Sequence, residues 1–239
     1  MMIERFLAGR RRGELSAAEL AALEGAVERV ETLAGRQTVV PHGKVVDTSM
    51  LLVDGLMARY MDGLEGERQL VALHVPGDFV DLHAFPLRKL DHDVATLTPC
   101  TVAVYKHETI EALIMQFPNL GKQLWFSTLL DAAMHREWIF RLGRLGAAGR
   151  VAHLLAETER RLRMVGMSDG KSFALPLQQS DIASACGITA VHANRVLRDL
   201  RERGIVTVAS GMVKIGDLAA LHREAEFDEQ YLYPADGKA

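Results

Sequence analysis

Apolar residues follow two different rhythms in the two halves of this 239-residue chain. In the first half, short apolar runs alternate with turn-forming glycine, proline and aspartate, which is typical of β-strands. A capped amphipathic helix from Ser16 to about Leu33, with Glu19 at the capping-box spacing, precedes them. The predicted strands are Thr38–Val40, Lys44–Val46, Ser49–Val53, Met57–Met61, Glu67–Val75, Val94–Thr96 and Thr101–Lys106. Many short strands at regular spacing predict a small antiparallel barrel or roll.

Helical periodicity dominates after Pro118. A helix is predicted from Asn119 to Leu145, on which apolar residues recur at three- and four-residue steps. They form two stripes: Leu120, Leu124, Ser127, Leu130, Met134, Trp138 and Leu142 in the first, and Phe126, Leu129, Ala133 and Phe140 in the second. Two stripes require two partners, so we expect one to pack on the roll and the other on the same helix of a second subunit. A helix buried twice within a monomer is the alternative. A further helix is predicted from Arg150 to about Val165.

The segment Leu177–Gly204 has the pattern of two helices joined by a tight turn. We expect Ser180 and Asp181 to cap the first helix, Gly187 to form the turn and Thr189 to cap the second helix. The buried side of the second helix is predicted to consist of Val196, Leu197 and Leu200. Its outer surface then carries Ala190, Val191, His192, Asn194, Arg195 and Arg198.

A β-hairpin is predicted directly afterwards, because Gly204–Ile215 alternates around a Ser-Gly turn. A helix-turn-helix followed by such a wing is a winged-helix domain, whose second helix enters the major groove of DNA. An ordinary helical hairpin is the alternative, but the turn glycine, the threonine cap and the arginines favour DNA binding. The predicted DNA-contacting residues are Gln179, Thr189, Val191, His192, Asn194, Arg195 and Arg198.

Charge is distributed unevenly along the chain. Residues 147–215 hold ten lysines and arginines against six aspartates and glutamates, a net of +4. Because the whole chain has a net charge of −3, the remaining residues carry −7. Attraction to phosphate is therefore expected from the winged-helix segment alone.

Composition limits the remaining classes. A chain with 49% apolar residues suits two modest domains, each with its own core. The sequence has no run of about 18 apolar residues and no signal-peptide pattern, so we expect a cytoplasmic protein without a membrane partner. With only Cys100 and Cys186, one chain cannot build a four-thiolate iron–sulfur cluster or a cysteine-based zinc site.

Four fragments resemble the Crp/Fnr superfamily of bacterial transcription regulators. They are Val75–Phe79, Ala95–Val102, Gly149–Leu155 and the segment from Asp181 to Leu197, whose order spans nearly the whole chain. The resemblance implies an α+β chain with an antiparallel, jelly-roll-like β-roll, a long dimerisation helix and a winged helix-turn-helix. The predicted divisions are residues 1–117 for the roll, 118–145 for the dimerisation helix, 146–216 for the DNA-binding domain and 217–239 for a loosely ordered tail.

The same resemblance implies a function. Such regulators form homodimers, bind inverted repeats in double-stranded DNA and contact RNA polymerase, usually to activate transcription. Arg195 matches the recognition-helix arginine of the family, which can hydrogen-bond a guanine edge in two places. Gly143 and the run Gly146–Gly149 are then expected to form the hinge between the dimerisation helix and the DNA-binding domain.

The effector implied for this chain is not cyclic AMP. Asp78 falls where members that bind cyclic AMP carry a glutamate, and Leu90-Asp91-His92 replaces their phosphate-binding arginine segment. An acidic side chain therefore stands where a phosphate would sit, which makes a poor anion site. The residues of the candidate pocket, for an unknown effector if there is one, are Asp78, Arg88, Lys89, His135 and Arg136. The oxygen-sensing members use an N-terminal cysteine cluster, and no cysteine precedes Cys100, so that mechanism is not expected here.

Two further hypotheses concern single residue types. His74, His83 and His92 fall around the ligand-binding region of the roll, and imidazole can bind haem iron or a divalent metal. Their spacing is not that of a metal site, so no metal or cofactor is predicted and a haem- or metal-dependent sensor is the alternative. Cys186 directly precedes the turn glycine, where oxidation would displace the second helix. Its inward position favours simple packing instead.

Two other classes of protein fit less well. A cupin-like metalloenzyme would need a His-x-His ligand pattern, which the roll lacks. A ligand-binding module that no longer binds DNA would have lost its basic recognition helix, whereas Arg195 and Arg198 are present. The sequence therefore predicts a DNA-binding regulator and not an enzyme.

Overall fold

The computed structural model describes residues 2–64 and 66–235, which form two compact units. The first unit takes the residues up to 67 together with 71–132, and the second takes 68–70 and the residues from 133 onward. The division therefore falls within the long helix, whereas the sequence predicted divisions at its two ends. None of the described helices has the length and apolarity needed to cross a bilayer.

The first unit is an antiparallel β-roll with helices at its ends. In chain order its elements are a 3-10 helix (Arg12–Glu14), α1 (Ala17–Gly25), β1 (Arg29–Leu33), β2 (Thr38–Val40), β3 (Thr48–Asp54), β4 (Met57–Asp62), β5 (Arg68–His74), α2 (Ala84–Leu87), β6 (Asp93–Thr96), β7 (Cys100–Lys106) and α3 (His107–Gln116). The strands form two sheets, in the orders β1-β7-β3 and β2-β6-β4-β5. Both sheets contribute to one apolar core, which contains Val40, Met50, Leu52, Met57, Val94, Val102 and Val104. The roll predicted from the sequence is confirmed.

Two predictions in this unit are wrong. The capping box of Ser16 and Glu19 forms, but α1 ends at Gly25 and not near Leu33. The residues from Arg29 to Leu33 instead form β1, which pairs with β7, because β-branched side chains there suit extended backbone. The predicted strand Lys44–Val46 contributes only an isolated bridge between Val45 and Lys89.

The second unit is a winged helix-turn-helix. Its elements are α5 (Ala147–Met164), β8 (Ser172–Ala174), α6 (Gln179–Cys186), α7 (Ala190–Glu202), β9 (Val206–Ala209), β10 (Met212–Ile215), α8 (Leu218–Ala225) and a 3-10 helix (Glu229–Leu232). The strands form a small antiparallel sheet in the order β8-β10-β9. The hairpin β9–β10 was predicted, whereas its third strand β8 was not.

The predicted loose tail is wrong for its described part. Residues 218–232 form α8 and the 3-10 helix, and α8 packs along α5; residues 236–239 of the predicted tail lie outside the described residues. The predicted hinge is corrected in part, because Gly143 lies within the long helix that ends at Arg144 and Gly149 lies within α5, which leaves Gly146 between the two helices. Gly149 is buried, and a Cβ there would lie 3.2 Å from the Glu224 carbonyl oxygen. Its lack of a side chain therefore permits close helix packing and does not provide a hinge.

The helix α4 (Pro118–Arg144) confirms the first predicted stripe, whose apolar members are buried or half-buried. The second stripe is wrong in part, since Phe126 and Ala133 are buried and the Arg11 guanidinium lies 4.2 Å from the Phe126 ring centre. Four large apolar side chains remain exposed on α4, which we call the α4 outer face: Trp125, Leu129, Ile139 and Phe140. Steps of three and four residues place them on one side of the helix, together with the exposed Arg136.

A buried polar cluster occupies the interior of the first unit. The Arg59 guanidinium donates from Nε and Nη2 to the Val80 carbonyl oxygen at 2.8 and 2.7 Å. Its Nη1 lies 2.6 Å from Oδ2 of Asp131, which α4 supplies. Asp81 is also buried, and its Oδ1 accepts a 2.7 Å hydrogen bond from the Met50 amide. Burial raises the pKa of Asp81 to about 7, although the Met50 amide and Arg59 oppose the shift.

The histidines of the metal hypothesis lie in this region. Burial, with the charge of Arg59, lowers the pKa of His74 to about 4 and that of His83 to about 3, so both imidazoles are neutral at pH 7. The rings of His83 and His92 have centroids 5.1 Å apart. Within the described part of the chain, no three His, Cys, Asp or Glu side chains are arranged to hold a metal ion.

The buried Asp81 generates a pH-dependence prediction. Because its folded pKa is raised, Asp81 keeps its proton in the folded protein between pH 3.8 and about 7, where the same carboxyl is ionised in the unfolded chain. The stability of the folded state that depends on this proton is present at low pH and is lost as the pH rises through 7. Asp81→Asn keeps an acceptor for the Met50 amide but cannot ionise. From pH 5 to pH 8 the variant should therefore gain about 2–3 kcal/mol in free energy of unfolding relative to the unmodified protein. Urea unfolding at one protein concentration measures this difference, and a difference independent of pH would contradict the account.

Candidate nucleic-acid interface

The first helix of the helix-turn-helix is fixed by a capping box. Gln178 is the N-cap of α6, and its backbone amide donates to Oδ2 of Asp181 at 2.7 Å. Asp181 thus contributes as predicted, but from the third helical position, and Ser180 is not the cap. Gln179, the first residue of α6, is exposed beside this cap. The box satisfies amides at the start of the helix that would otherwise have no intrahelical partner.

The turn between α6 and α7 requires a glycine for its backbone conformation. Gly187 has φ of +61°, which residues with a Cβ rarely adopt, while a Cβ at this position would meet no atom closer than 3.8 Å. Thr189 then caps α7, because its Oγ1 accepts a 3.2 Å hydrogen bond from the His192 amide. Both predicted roles are confirmed, and together they set where α7 begins.

The helix α7 has one buried and one exposed side. Ala193, Val196 and Leu200 are buried against the rest of the second unit. Val191 is 81% exposed, an unusually high fraction for a large apolar residue. The other predicted contact residues of α7 are exposed, apart from the half-buried His192: Asn194, Arg195 and Arg198. The exposed side thus offers a guanidinium, an amide and a methyl-bearing group, the side-chain types that recognise base edges in the major groove.

The arginines of α7 differ in their availability. Arg203 at the C-terminal end is held by Asp199 at 3.0 Å and by Glu224. Among the described residues, no carboxylate forms an ion pair with Arg195 or Arg198. Free cationic charge therefore lies along the middle of α7, whereas the charge of Arg203 at its end is neutralised.

The wing follows directly from α7. Ser210 and Gly211 both have positive φ, of +51° and +75°, which gives the tight two-residue turn that matches the twist of a β-hairpin. Lys214 on β10 is exposed. The wing therefore adds a second element that carries an exposed cation.

Cys186 is packed as the sequence indicated. It is 2% exposed at the end of α6, and burial raises the pKa of its thiol to about 12, against the opposing effect of Arg150. The Arg150 guanidinium donates to the Cys186 carbonyl oxygen at 3.3 Å. A thiol with so high a pKa carries almost no thiolate at neutral pH, so the redox hypothesis gains no support.

The five residues predicted as an effector pocket occupy different places. Asp78 closes a turn, its Oδ2 accepting the Val75 amide at 3.0 Å. Arg88 and Lys89 are exposed in the first unit, Arg88 with φ of +62° directly after α2. His135 is half-buried and Arg136 is exposed, and both belong to the second unit. Their role as a pocket stays a prediction.

The polar cluster around Arg59 in the first unit was not predicted from the sequence. Arg59, Asp81 and Asp131 converge there, although they are far apart in the chain. Arg59 gave one available signal, since it is the one charged residue of the predicted strand Met57–Met61. A long cationic side chain in such a run requires a buried partner.

Comparison with known proteins covers both units. Residues 149–224 match the family model of the Crp-like helix-turn-helix domain. The chain is 31% identical over 217 residues to the transcriptional activator protein FnrL of Cereibacter sphaeroides, which covers 88% of this chain and 85% of that protein. It is 27% identical over 206 residues to the nitrogen fixation regulation protein FixK of Bradyrhizobium diazoefficiens, covering 86% and 85%.

Solved structures show the same fold. FixK2 from Bradyrhizobium japonicum matches with a TM-score of 0.74 at 22% identity, over 82% of this chain and 96% of that chain. A CRP/FNR family regulator from Thermus thermophilus matches with a TM-score of 0.65 at 19% identity, over 83% and 99%. With its roll, long helix and winged helix-turn-helix, the chain belongs to the Crp/Fnr superfamily and is a DNA-binding transcription regulator.

Proposed function

We propose that the protein binds an inverted-repeat operator as a homodimer, with α7 of each subunit in the major groove. The observation that carries this proposal is the exposed side of α7, on which Val191, Asn194 and Arg195 stand out while Val196 and Leu200 anchor the helix. In this arrangement Arg195 reads a guanine edge, Asn194 an adenine edge or a phosphate, and Val191 a thymine methyl group. Gln179, Thr189, His192 and Arg198 complete the contact surface, the last mainly through phosphate.

The α4 outer face supports the dimer. A single helix-turn-helix buries little surface on DNA, whereas two placed about 34 Å apart read both halves of an inverted repeat. Trp125, Leu129, Ile139 and Phe140 expose four large apolar side chains along both halves of one helix. Such a row on one helix suits pairing with its own copy, since identical faces are self-complementary about a two-fold axis.

The remaining parts of the proposal concern regulation. We assign the protein to the cytoplasm and to transcription activation through contact with RNA polymerase, since a relative with 31% identity is named a transcriptional activator. We assign it no catalytic step. Its effector, if it has one, is not cyclic AMP, because the buried cation of the roll, Arg59, is already paired with Asp131. Asp91 also stands in the segment where a cyclic phosphate would sit.

In vitro selection tests the proposal as a whole. Purified protein without added ligand is offered random duplex DNA, and bound sequences are enriched over several rounds. We expect an inverted repeat whose half-sites are separated by about one helical turn. A single half-site, or salt-sensitive binding without sequence preference, would contradict the proposed mode for the free protein. Repeating the selection with cyclic AMP should leave the enriched sequence and its affinity unchanged.

Arg195→Ala tests base recognition. Loss of a bidentate contact should cost about 1–3 kcal/mol on the selected operator and less on random DNA of equal length. Fluorescence anisotropy at a fixed salt concentration measures both affinities. Arg203→Ala is the matched control, because Asp199 and Glu224 already neutralise that guanidinium, and its effect should be small. Equal losses for Arg195→Ala on both DNAs would show that Arg195 binds only phosphate.

Ile139→Lys tests the dimer. Ile139 is 71% exposed, so the change should cost a single subunit little, but two lysines in an apolar interface would be desolvated without partners. We expect sedimentation to shift towards the monomer and operator affinity to fall at least about tenfold. Met115→Lys is the control, since Met115 is 79% exposed and belongs to a different helix, α3. A variant that sediments as the unmodified dimer would place the interface elsewhere.

A further inference from the structure

A single buried carboxylate joins three segments of the second unit. Glu157 lies on α5 and is 2% exposed. Its Oε2 accepts one hydrogen bond from Trp138 Nε1 of α4 at 3.0 Å and another from the Tyr231 hydroxyl at 2.7 Å. Its Oε1 lies 3.3 Å from Arg161 Nη1. Glu157 thus connects α4 and α5 with the segment that follows the wing.

That last segment, residues 218–235, is called the C-terminal strap. Its α8 packs along α5, and its aromatic side chains surround His153 of α5. The His153 ring is stacked on Tyr231, with centroids 6.1 Å apart, and lies 5.7 Å from the Phe227 ring. Burial, and then the nearby Glu157 carboxylate, raise the pKa of Tyr231 above its usual range, so its hydroxyl keeps the proton that it donates.

The strap also reaches α4 directly. Glu226 lies between two arginines near the end of that helix, 3.5 Å from Arg141 Nη1 and 3.3 Å from Arg144 Nε. The strap therefore contacts α4 through Tyr231 by way of Glu157, and through Glu226. Both contacts lie within about two turns of helix of the point where α4 ends.

The joint between α4 and α5 is short and tightly held. Only Leu145 and Gly146 separate the two helices, and Arg150 Nε donates to the Leu145 carbonyl oxygen at 2.7 Å. Gly149 of α5 lies so close to the backbone of α8 that a Cβ at this position would be 3.2 Å from the Glu224 carbonyl oxygen. A change of angle between α4 and α5 would therefore break the Trp138–Glu157 hydrogen bond, which joins the two helices.

We propose that Trp138, Glu157 and Tyr231 are positioning residues that fix the spacing between the two operator half-sites. This inference rests on the proposed dimer, in which α4 pairs the subunits and α5 leads to the helix-turn-helix. The angle between α4 and α5 then sets how far apart the two copies of α7 lie. A joint closed by a buried, hydrogen-bonded carboxylate favours one distance, because an opened joint would remove the Trp138 donor from Glu157.

Operator spacing gives a readout that a merely structural role would not change. Inserting or deleting one base pair between half-sites moves them by about 3.4 Å and rotates them by about a tenth of a turn. A rigid joint penalises such operators, whereas a loosened joint tolerates them. If the three residues only stabilise the fold, their loss lowers the melting temperature and leaves the relative affinities for different spacings unchanged.

The test uses the full chain with Tyr231→Phe, which removes one hydrogen-bond donor to Glu157 and keeps the ring. Affinities are measured by anisotropy for the selected operator and for versions one base pair longer and shorter. We expect the unmodified protein to prefer the selected spacing at least about tenfold, and the variant to reduce this ratio at least about threefold. Tyr233→Phe is the control, since Tyr233 is 50% exposed and the same atom is removed there.

Trp138→Phe removes the donor on the α4 side and should relax spacing in the same way. If Tyr231→Phe does not fold, as judged by circular dichroism, Trp138→Phe is the variant on which the spacing ratios are measured. Unchanged spacing ratios in the folded variants would overturn the inference and leave the dimer intact. Equal affinity of the unmodified protein for all spacings would also overturn it, without any variant. Selection of a lone half-site would overturn the proposed function and this inference together.

Discussion

The burial of α5 on nearly every side is the constraint on which the second unit depends. Twelve of its eighteen residues are buried, three of them carrying charged side chains: Glu157, Glu159 and Arg161. An ordinary surface helix covers one stripe and leaves the other to water. Here α6 and α7 pack on one side, and α8 with the 3-10 helix packs on another. The recognition helix α7 and the C-terminal strap therefore both pack on α5.

The buried charges of α5 require hydrogen-bond donors on the side chains that pack against it. A buried carboxylate is tolerated only when hydrogen bonds replace its water. Glu159 receives them from Ser168 at 3.0 Å and from Arg163 at 2.9 Å. Glu157 receives them from Trp138 and Tyr231. Arg163 lies on α5 itself, but Trp138, Ser168 and Tyr231 come from three other segments, so satisfying the charges also fixes where those segments lie.

Local signals in the sequence predicted most of the framework. The strands of the roll, the capping box at Ser16, the turn at Gly187 and the cap at Thr189 all depend on residues within a few positions of one another. The exposed side of α7 could be predicted for the same reason, because helical periodicity assigns Val191, Asn194 and Arg195 to one side once the anchors are known.

Features that depend on distant partners could not be predicted in this way. β1 forms because β7 is present to pair with it, although the β-branched Val30 and Thr32 gave a local hint of extended backbone. The strap appeared to be a loose tail because its order comes from the surface of α5. Arg59 and Asp131 are separated by 72 positions, and no local pattern links them. Gly149 resembled a hinge because a glycine that permits close packing and one that permits bending look alike in sequence.

The distribution of charge along α7 sets the direction in which the helix can approach DNA. Its N-terminal end carries the partial positive charge of the helix dipole, and Thr189, Asn194 and Arg195 lie within its first two turns. Its C-terminal end exposes Asp199 and Glu202, and Arg203 is engaged there by carboxylates. Phosphate is therefore attracted more strongly to the first half of α7 than to its last turn. An approach with the N-terminal end of α7 deepest in the groove fits this distribution of charge. In the proposed dimer, the angle between α4 and α5 decides whether the two copies of α7 can enter their half-sites in this way at the same time.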